Sequence, residues 1–266
     1  MQWLLQPFED TETLAAALDR LGLPYTWHKV VPFTGDLIPE PVVPDPDRVV
    51  MFGSYALWRF AEARGYRPGV FRIRPFAYEA AWEPYLLNGP GARFLTVREV
   101  PGRLAGEGDR PWFVRPVDDS KAQPGRVMAA DELVRIAEKV LALAEDEIPR
   151  GSLAHDTALM LCPPARILKE WRVWVVEDRV VTVSLFKEGR RVTYRREIDE
   201  DARLFAEEVI RANPGYASAY VLDLCRTKDG LRLLETNCVN AAGFYAADAV
   251  KLAMAVEGIG QSREES

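Results

Sequence analysis

The stretch from Tyr220 to Asn237, Tyr-Val-Leu-Asp-Leu-Cys-Arg-Thr-Lys-Asp-Gly-Leu-Arg-Leu-Leu-Glu-Thr-Asn, constrains the fold of this chain more than any other. Two runs of strand-favouring residues flank a Lys-Asp-Gly turn signal, the pattern of an antiparallel hairpin. Side chains on a strand alternate between faces, so the register decides which polar groups meet. A two-residue Asp229-Gly230 turn pairs Asp223 with Thr236 and separates it from Glu235. A three-residue loop of Lys228, Asp229 and Gly230, with the glycine left-handed, pairs Thr227 with Leu231 and therefore Asp223 with Glu235. Asn237 then shares their face. Two carboxylates and an amide carbonyl are hard oxygen donors that suit Mg²⁺ and a nucleotide phosphate. The same residues equally describe an edge hairpin that turns its polar side chains to solvent.

The rest of the chain narrows the chemistry by exclusion. At 266 residues and 48% hydrophobic, it is long enough for one large domain or two lobes with a substantial core. A formal net charge of −6 argues against tracking a phosphate backbone, so nucleic acid is not the expected partner. No run approaches the ~18 apolar residues of a membrane span, and the opening Met-Gln-Trp-Leu-Leu-Gln-Pro has neither a basic flank nor a small-residue cleavage site. The expectation is a cytoplasmic protein with no membrane partner. Cys162, Cys225 and Cys238 lack any C-x-x-C spacing and read as buried thiols. His28 and His155, the two histidines, lie in no catalytic string and read as surface or loop residues. Asp, Glu, Asn, Arg and Lys are left to carry the chemistry, which favours metal-assisted phosphate chemistry over acyl-enzyme hydrolysis.

Along the chain, Trp3 to Leu5, Tyr25 to Val31 and Val49 to Phe52 read as strands, separated by helical patterns at Thr11 to Leu21 and Tyr55 to Ala63. Strands and helices in alternation predict a small α/β layer with a mainly parallel sheet. The Pro-rich segment Pro32 to Asp47 interrupts that rhythm and reads as an extended surface loop. Gly53-Ser54, between strand and helix, is a candidate for presenting backbone N–H groups to an anion. Beyond Pro111 the pattern becomes strand, loop and helix, with Asp131 as N-cap of the run Glu132 to Ala144, and then hairpins. Trp171 to Val176 and Val180 to Leu185 form one hairpin around Glu177-Asp178, Asp199 to Ala212 a helix, and Tyr245 to Val256 another. Trp58, Tyr78, Trp82 and Tyr85 suggest an exposed aromatic surface, either a homodimer interface or a contact between lobes.

Two further segments carry charge in a useful order. Arg115 ends the strand Trp112-Phe-Val and Lys121 sits in the polar loop behind it, a rigid fork and a mobile point charge suited to a polyphosphate. In Ile167-Leu-Lys-Glu-Trp-Arg-Val-Trp174, Glu170 and Arg172 alternate onto one face while Trp171, Val173 and Val175 form the other. Glu170 there can accept from ribose hydroxyls and Arg172 can reach a phosphate or an acyl phosphate. Read blandly, they are an exposed ion pair of little energetic value. Upstream, Leu161, Cys162, Pro163, Pro164 and Ala165 form a Pro-rich connection whose backbone can read adenine.

Arg-Pro with a Lys-containing loop, a Pro-rich hinge, Glu-x-Arg on a strand and a closing Asp…Asp-Gly…Glu-x-Asn together resemble the ATP-grasp superfamily, and in particular its clade with arginine in place of the first phosphate lysine. The resemblance covers about residues 70 to 256. It implies an α+β ATP-grasp fold, two subdomains gripping a nucleotide, at residues 96–256. A pre-ATP-grasp α/β lobe would occupy 1–95 and a flexible tail 257–266. It implies ATP and Mg²⁺ as cofactors, with Arg115 and Lys121 on ATP phosphates, Leu161 to Ala165 at adenine, Glu170 on ribose and Arg172 on the γ-phosphate or activated acyl group. Asp223, Glu235 and Asn237 would ligate the metal, and Asn240, Gly243 and Tyr245 would face the acceptor. The activity implied is ligation of a small-molecule or peptide carboxylate to an amine or thiol through an acyl phosphate. A silent ATP-binding module and a kinase on the same scaffold remain the alternatives. Lys187, Arg190, Arg191, Arg195 and Arg196 are candidates to meet an acidic substrate, set against the plainer reading of a solvated hairpin edge.

Overall fold

The computed structural model describes residues 1–259 apart from 32, 33, 55, 90, 118–123 and 150. It divides into two compact units, Met1–Ile73 together with the chain from Ile167 onward, and Arg74–Arg166. The first unit thus joins residues from both ends of the sequence.

Its N-terminal part carries β1 (Gln2–Leu5), α1 (Glu9–Leu21), β2 (Tyr25–Trp27), β3 (Lys29–Val30), β4 (Leu37–Ile38), β5 (Val49–Phe52), α2 (Leu57–Arg64) and β6 (Pro68–Gly69). β2, β1, β5 and β6 form a parallel sheet in that order, as the alternation of strands and helices predicts. Helix α1 buries Leu14, Ala15 and Leu18 at the i, i+1, i+4 spacing of an apolar stripe. The Pro-rich segment departs from expectation, because Leu37 is buried and pairs with Val30 in a small antiparallel hairpin, β3 with β4. An apolar side chain within reach of a core outweighs a proline-rich neighbourhood. His28 is likewise interior rather than on the surface, its ring nitrogens engaged by Thr26 Oγ1 and the Pro39 carbonyl. The Gly53 and Ser54 amides donate to the Asn240 carbonyl and to Gln6 Oε1, so they are not offered to an anion.

The second unit holds β7 (Arg93–Thr96), α3 (Val100–Leu104), β8 (Pro111–Pro116), β9 (Arg126–Ala129), α4 (Ala130–Leu141) and β10 (Ala158–Cys162). Its antiparallel sheet runs β7-β10-β8-β9, and Trp112, Val114, Leu159 and Leu161 pack with Leu104, Leu133 and Ala137 from the two helices. Helix α4 starts earlier than the cap signal indicated, with Ala129 at the N-cap and Asp131 inside the first turn. There the carboxylate still complements the positive end of the helix dipole. Trp82 is fully buried, which removes it from the exposed aromatic surface read from the sequence, whereas Tyr78 is exposed and packs on Phe94.

The C-terminal part of the first unit supplies β11 (Lys169–Val176), β12 (Arg179–Glu188), β13 (Arg191–Arg195), α5 (Glu200–Ala212), β14 (Ala219–Thr227), β15 (Gly230–Asn237) and α6 (Ala249–Glu257). They build an antiparallel sheet in the order β13-β12-β11-β14-β15. Trp171 on one face packs with Leu185 and with Ala202 of α5. Trp174, Val176, Ala219 and Val221 on the other join Trp3, Phe52, Leu14 and Leu252 in the main core. Burying each such side chain contributes roughly 1.5–3 kcal/mol, which is why strands covered on both faces read as nearly continuous apolar runs. Helix α6 begins at Ala249, capped by Asp248, and not at Tyr245, whose backbone is left-handed. The helix ends at Glu257, whose carboxylate accepts from the Met1 amine and Trp3 Nε1. Of the expected tail, 260–266 lie outside the described residues.

Candidate active site

The hairpin β14–β15 places Asp223 opposite Glu235, as the side-chain parity requires, but by another route. Its turn holds only Lys228 and Asp229, with Thr227 opposite Gly230, a register that left alone would misplace the carboxylates. A β-bulge between Asp223 and Leu224 inserts Leu234 as the extra residue and restores the pairing. Bulges re-aim side chains, and here the bulge decides which residue faces Asp223.

Across four strands the register lines up Ser184, Arg172, Asp223 and Glu235. The adjoining row on one side is Lys187, Glu170, Cys225 and Arg232. On the other side it is Thr182, Trp174, Val221 and Asn237. One face of β11 therefore passes from apolar core at Val176 and Trp174 to charge at Arg172 and Glu170. The bland alternative, Glu170 and Arg172 as an exposed pair, fails, since they are 6% and 7% exposed.

Arg172 grips Asp223 side-on, Nε donating to Oδ1 at 2.8 Å and Nη2 to Oδ2 at 2.7 Å, while Nη1 donates to the Gly243 carbonyl at 3.2 Å. Asn237 Nδ2 donates to Asp223 Oδ2 at 2.9 Å and to Glu235 Oε1 at 3.3 Å. Burial dominates the Asp223 carboxyl and raises its pKa, the Arg172 fork pulls it down, the adjacent Glu235 adds to the rise, and the net is upward. Burial alone would lower the Arg172 guanidinium, but Asp223 outweighs it and the net is again upward, so the cation persists. Glu170, also buried, is held by Lys187 Nζ at 2.7 Å.

Buried Asp223 and half-buried Glu235 stand side by side and repel one another, and a divalent ion would relieve that repulsion. An ionised carboxylate offers about four lone-pair positions, so Asp223 keeps one beyond Arg172 and Asn237. Half a turn of the Asn237 amide presents its oxygen where its nitrogen now stands. Among the described residues no group of three or more His, Cys, Asp or Glu side chains could hold a metal, so a cation here would also need Asn237 and substrate oxygens.

The segment after β15 divides the residues expected at the acceptor. Asn240 is buried, its Oδ1 accepting from Phe71 N at 2.8 Å and its Nδ2 donating to the Met51 carbonyl. Its amide braces the turn against β5 and is not offered to an acceptor, which corrects the expectation for that residue. Gly243 contributes its carbonyl to Arg172. Tyr245, at φ 52°, stacks between Phe186 (5.2 Å) and Tyr194 (4.9 Å), with the Arg172 guanidinium carbon 4.8 Å from its ring centre. No motif marks Asp10, Thr182, Ser184, Phe186 or Tyr194 for this place, and Arg196 stands in the sequence only as one of a basic group. Asp10 accepts from Phe244 N, Ser184 Oγ from Ala246 N and Thr182 Oγ1 from Asp248 N, while Arg196 binds Asp248 and the Ala246 carbonyl. No spacing rule links such scattered residues; only register and loop geometry do. Arg195 pairs with Glu188 and Glu197 instead.

In the second unit, Arg115 and the stretch from Leu161 lie on neighbouring strands, Arg115 opposite Met160 and Val114 opposite Leu161. The Arg115 guanidinium lies 5.1 Å from the Phe76 ring centre and its Nε donates to the Pro116 carbonyl. Leu161 and Cys162 have buried side chains, so only their backbone can read a base; Pro163, Pro164 and Ala165 are exposed. Burial pushes the Cys162 and Cys225 thiols up to about 12. Lys121 lies outside the described residues.

A sheet whose strands converge Glu-x-Arg on Asp and Glu-x-Asn, together with a separate antiparallel unit carrying Arg115, defines the ATP-grasp fold. The model of an ATP-grasp domain family, the third family of its clade, matches residues 79–256, and the chain belongs to that family. No curated protein matches the chain. Among solved structures, the D-cycloserine synthetase DcsG is 16% identical, with a TM-score of 0.63 over 97% of this chain and 99% of its own. A D-alanine–D-alanine ligase from Bacillus anthracis complexed with ATP is 13% identical, with a TM-score of 0.56 over 99% and 97%. The ATP-grasp ligase PsnB complexed with a minimal precursor is 16% identical, with a TM-score of 0.52 over 96% and 97%. At such identities the likeness is one of fold. No helix among the described residues is long and apolar enough to cross a membrane.

Proposed function

We propose that this chain is an ATP- and Mg²⁺-dependent ligase that joins a carboxylate to an amine, or to a thiol, by way of an acyl phosphate. The observation that carries the reading is the row Arg172–Asp223–Glu235, its first two members buried, with Asn237 beside it, on a sheet that the family match includes. In support, the solved relatives are by name a synthetase and two ligases, one complexed with ATP and one with a minimal precursor. A small molecule or a peptide is therefore the substrate class we expect.

In the reaction, a substrate carboxylate oxygen attacks the γ-phosphorus of ATP and ADP leaves; the amine then adds to the acyl carbon, phosphate departs and the nitrogen gives up a proton. Bound at Asp223, Glu235 and Asn237, Mg²⁺ would neutralise charge on the phosphate oxygens. The chain supplies positioning and fixed charge, which is what phosphoryl transfer demands of a protein. Arg172, its planar guanidinium oriented by Asp223 and Gly243, presents a preorganised cation to the transferring group. In this reading Glu170 accepts from the ribose, and Arg115, as the arginine at the first phosphate position, holds the ATP phosphates together with Lys121. Gly243 and Tyr245 border the acceptor.

The test is ADP release with panels of carboxylates and amines, with and without Mg²⁺, and mass spectrometry of the products. Condensed product that disappears in Asp223→Asn and Glu235→Gln supports the reading. A stable phosphorylated product would make the chain a kinase, and unchanged turnover in both variants would remove the metal assignment.

A further inference from the structure

The six residues from Gly243 to Asp248 are held by more bonds than a surface loop needs. Asp10, in the first turn of α1, accepts from Phe244 N at 2.8 Å. Ser184 and Thr182 of β12 take the Ala246 and Asp248 amides, and Arg196 binds the Ala246 carbonyl and Asp248. Within this frame Tyr245 adopts φ 52°, a region where a bulky residue is an outlier that persists only when its surroundings over-determine it. A Cβ on Gly243 would stand 3.2 Å from Tyr245 Cε1 and 3.5 Å from Asp10 Oδ2, so the backbone has closed down onto both. The product of this geometry is two contacts to one side chain, the Gly243 carbonyl on Arg172 Nη1 and the Tyr245 ring near the Arg172 guanidinium.

We infer that Asp10 is a positioning residue for Arg172: the first helix holds the Gly243–Tyr245 backbone so that the guanidinium is fixed on the side that Asp223 does not reach. Asp223 secures Nε and Nη2 and leaves Nη1 to the loop. Arg172 is thereby clamped from two directions, by its own sheet and by the N-terminal α/β layer. Asp10 itself is exposed, so removing its carboxylate perturbs a partner and not the core. The inference deepens the ligase reading in taking Arg172 as the phosphate-facing cation, but the clamp exists whether or not ligation occurs.

The experiment is nuclear magnetic resonance of the full chain with isotope-labelled arginine, the Arg172 signals assigned by their loss in Arg172→Lys. With Nη1 and Nη2 bonded to different partners, the two nitrogens give separate signals. In Asp10→Ala they should merge through rotation about the Nε–Cζ bond, which interchanges the two nitrogens, and in Asp10→Asn, which keeps an oxygen for Phe244 N, they should stay separate. A melting curve recorded on each variant separates this from unfolding. If Asp10→Ala does not fold, Asp10→Gln, whose oxygen is displaced by one methylene, should show the same merging. Separate signals in a folded Asp10→Ala or Asp10→Gln overturn the inference, as does merging in a folded Asp10→Asn. In the ADP-release assay Asp10→Ala should lose ~10-fold in kcat with KM for ATP unchanged, since small misplacement of a catalytic group costs rate before binding. Absence of any turnover in the unaltered chain would count against the ligase reading alone, leaving the resonance result to judge the clamp.

Discussion

Replacing Asn240 by alanine separates a bracing amide from a substrate contact. The side chain satisfies two buried backbone groups, Phe71 N–H and the Met51 carbonyl, and both residues are interior. Alanine orphans both, and a buried group left without its hydrogen bond costs ~1–3 kcal/mol, so Asn240→Ala should lose about 4 kcal/mol. At ~2–4 °C per kcal/mol for a chain of this size, the melting temperature should fall by roughly 8–16 °C. Asn240→Asp adds a pH signature. A protonated aspartic acid accepts from Phe71 N and donates to Met51 as the amide does, whereas the carboxylate is buried against a carbonyl. Its folded pKa is thus raised above the unfolded value, the compensating stability is present below ~pH 4, and it is lost as pH climbs toward the folded pKa, by up to ~1.4 kcal/mol per unit. Urea unfolding followed by tryptophan fluorescence at pH 5 and pH 7 measures both effects. A loss below ~1 kcal/mol in Asn240→Ala, together with abolished turnover, would refute the reasoning and return Asn240 to the acceptor site.

With Cys162 and Cys225 pushed up to about 12 by burial, a thiol reagent at pH 8 should leave both unmodified in the native protein and label them once urea unfolds it, as peptide mapping would show. At Tyr245 the usual ranking should invert, Tyr245→Gly being more stable than Tyr245→Ala by ~1 kcal/mol in thermal melts, because only glycine is unstrained at φ 52°. Breaking the side-on pair by Arg172→Met leaves Asp223 buried beside Glu235, and should destabilise by ~3–5 kcal/mol, with Asp223→Leu in the same chain recovering much of the loss in a double-mutant cycle.

Local signals carried much of this molecule. Alternating strands and helices made the parallel layer legible, the Glu177-Asp178 turn of β11 and β12 is where the pattern put it, and the polar residues Glu170, Arg172, Asp223, Glu235 and Asn237, singled out by their order, fall on adjoining rows of one sheet. Side-chain parity is a property of neighbours along one chain, so it survives in the letters. The bulge at Leu234 does not, because a short turn and an extra residue cancel in register and leave the same pairing as a longer turn. Nor do burial and mutual grip: Glu-x-Arg reads alike on a solvated edge or beneath a second layer, and only packing against Trp3, Phe52 and α6 put Arg172 in a place where its pair with Asp223 matters. Asn240 and Asp10 exchange roles for the same reason. One sits just past the motif and braces the fold; the other, more than two hundred residues away, reaches the loop that steadies the guanidinium, and contacts so distant along the chain arise from three-dimensional packing that no sequence spacing records.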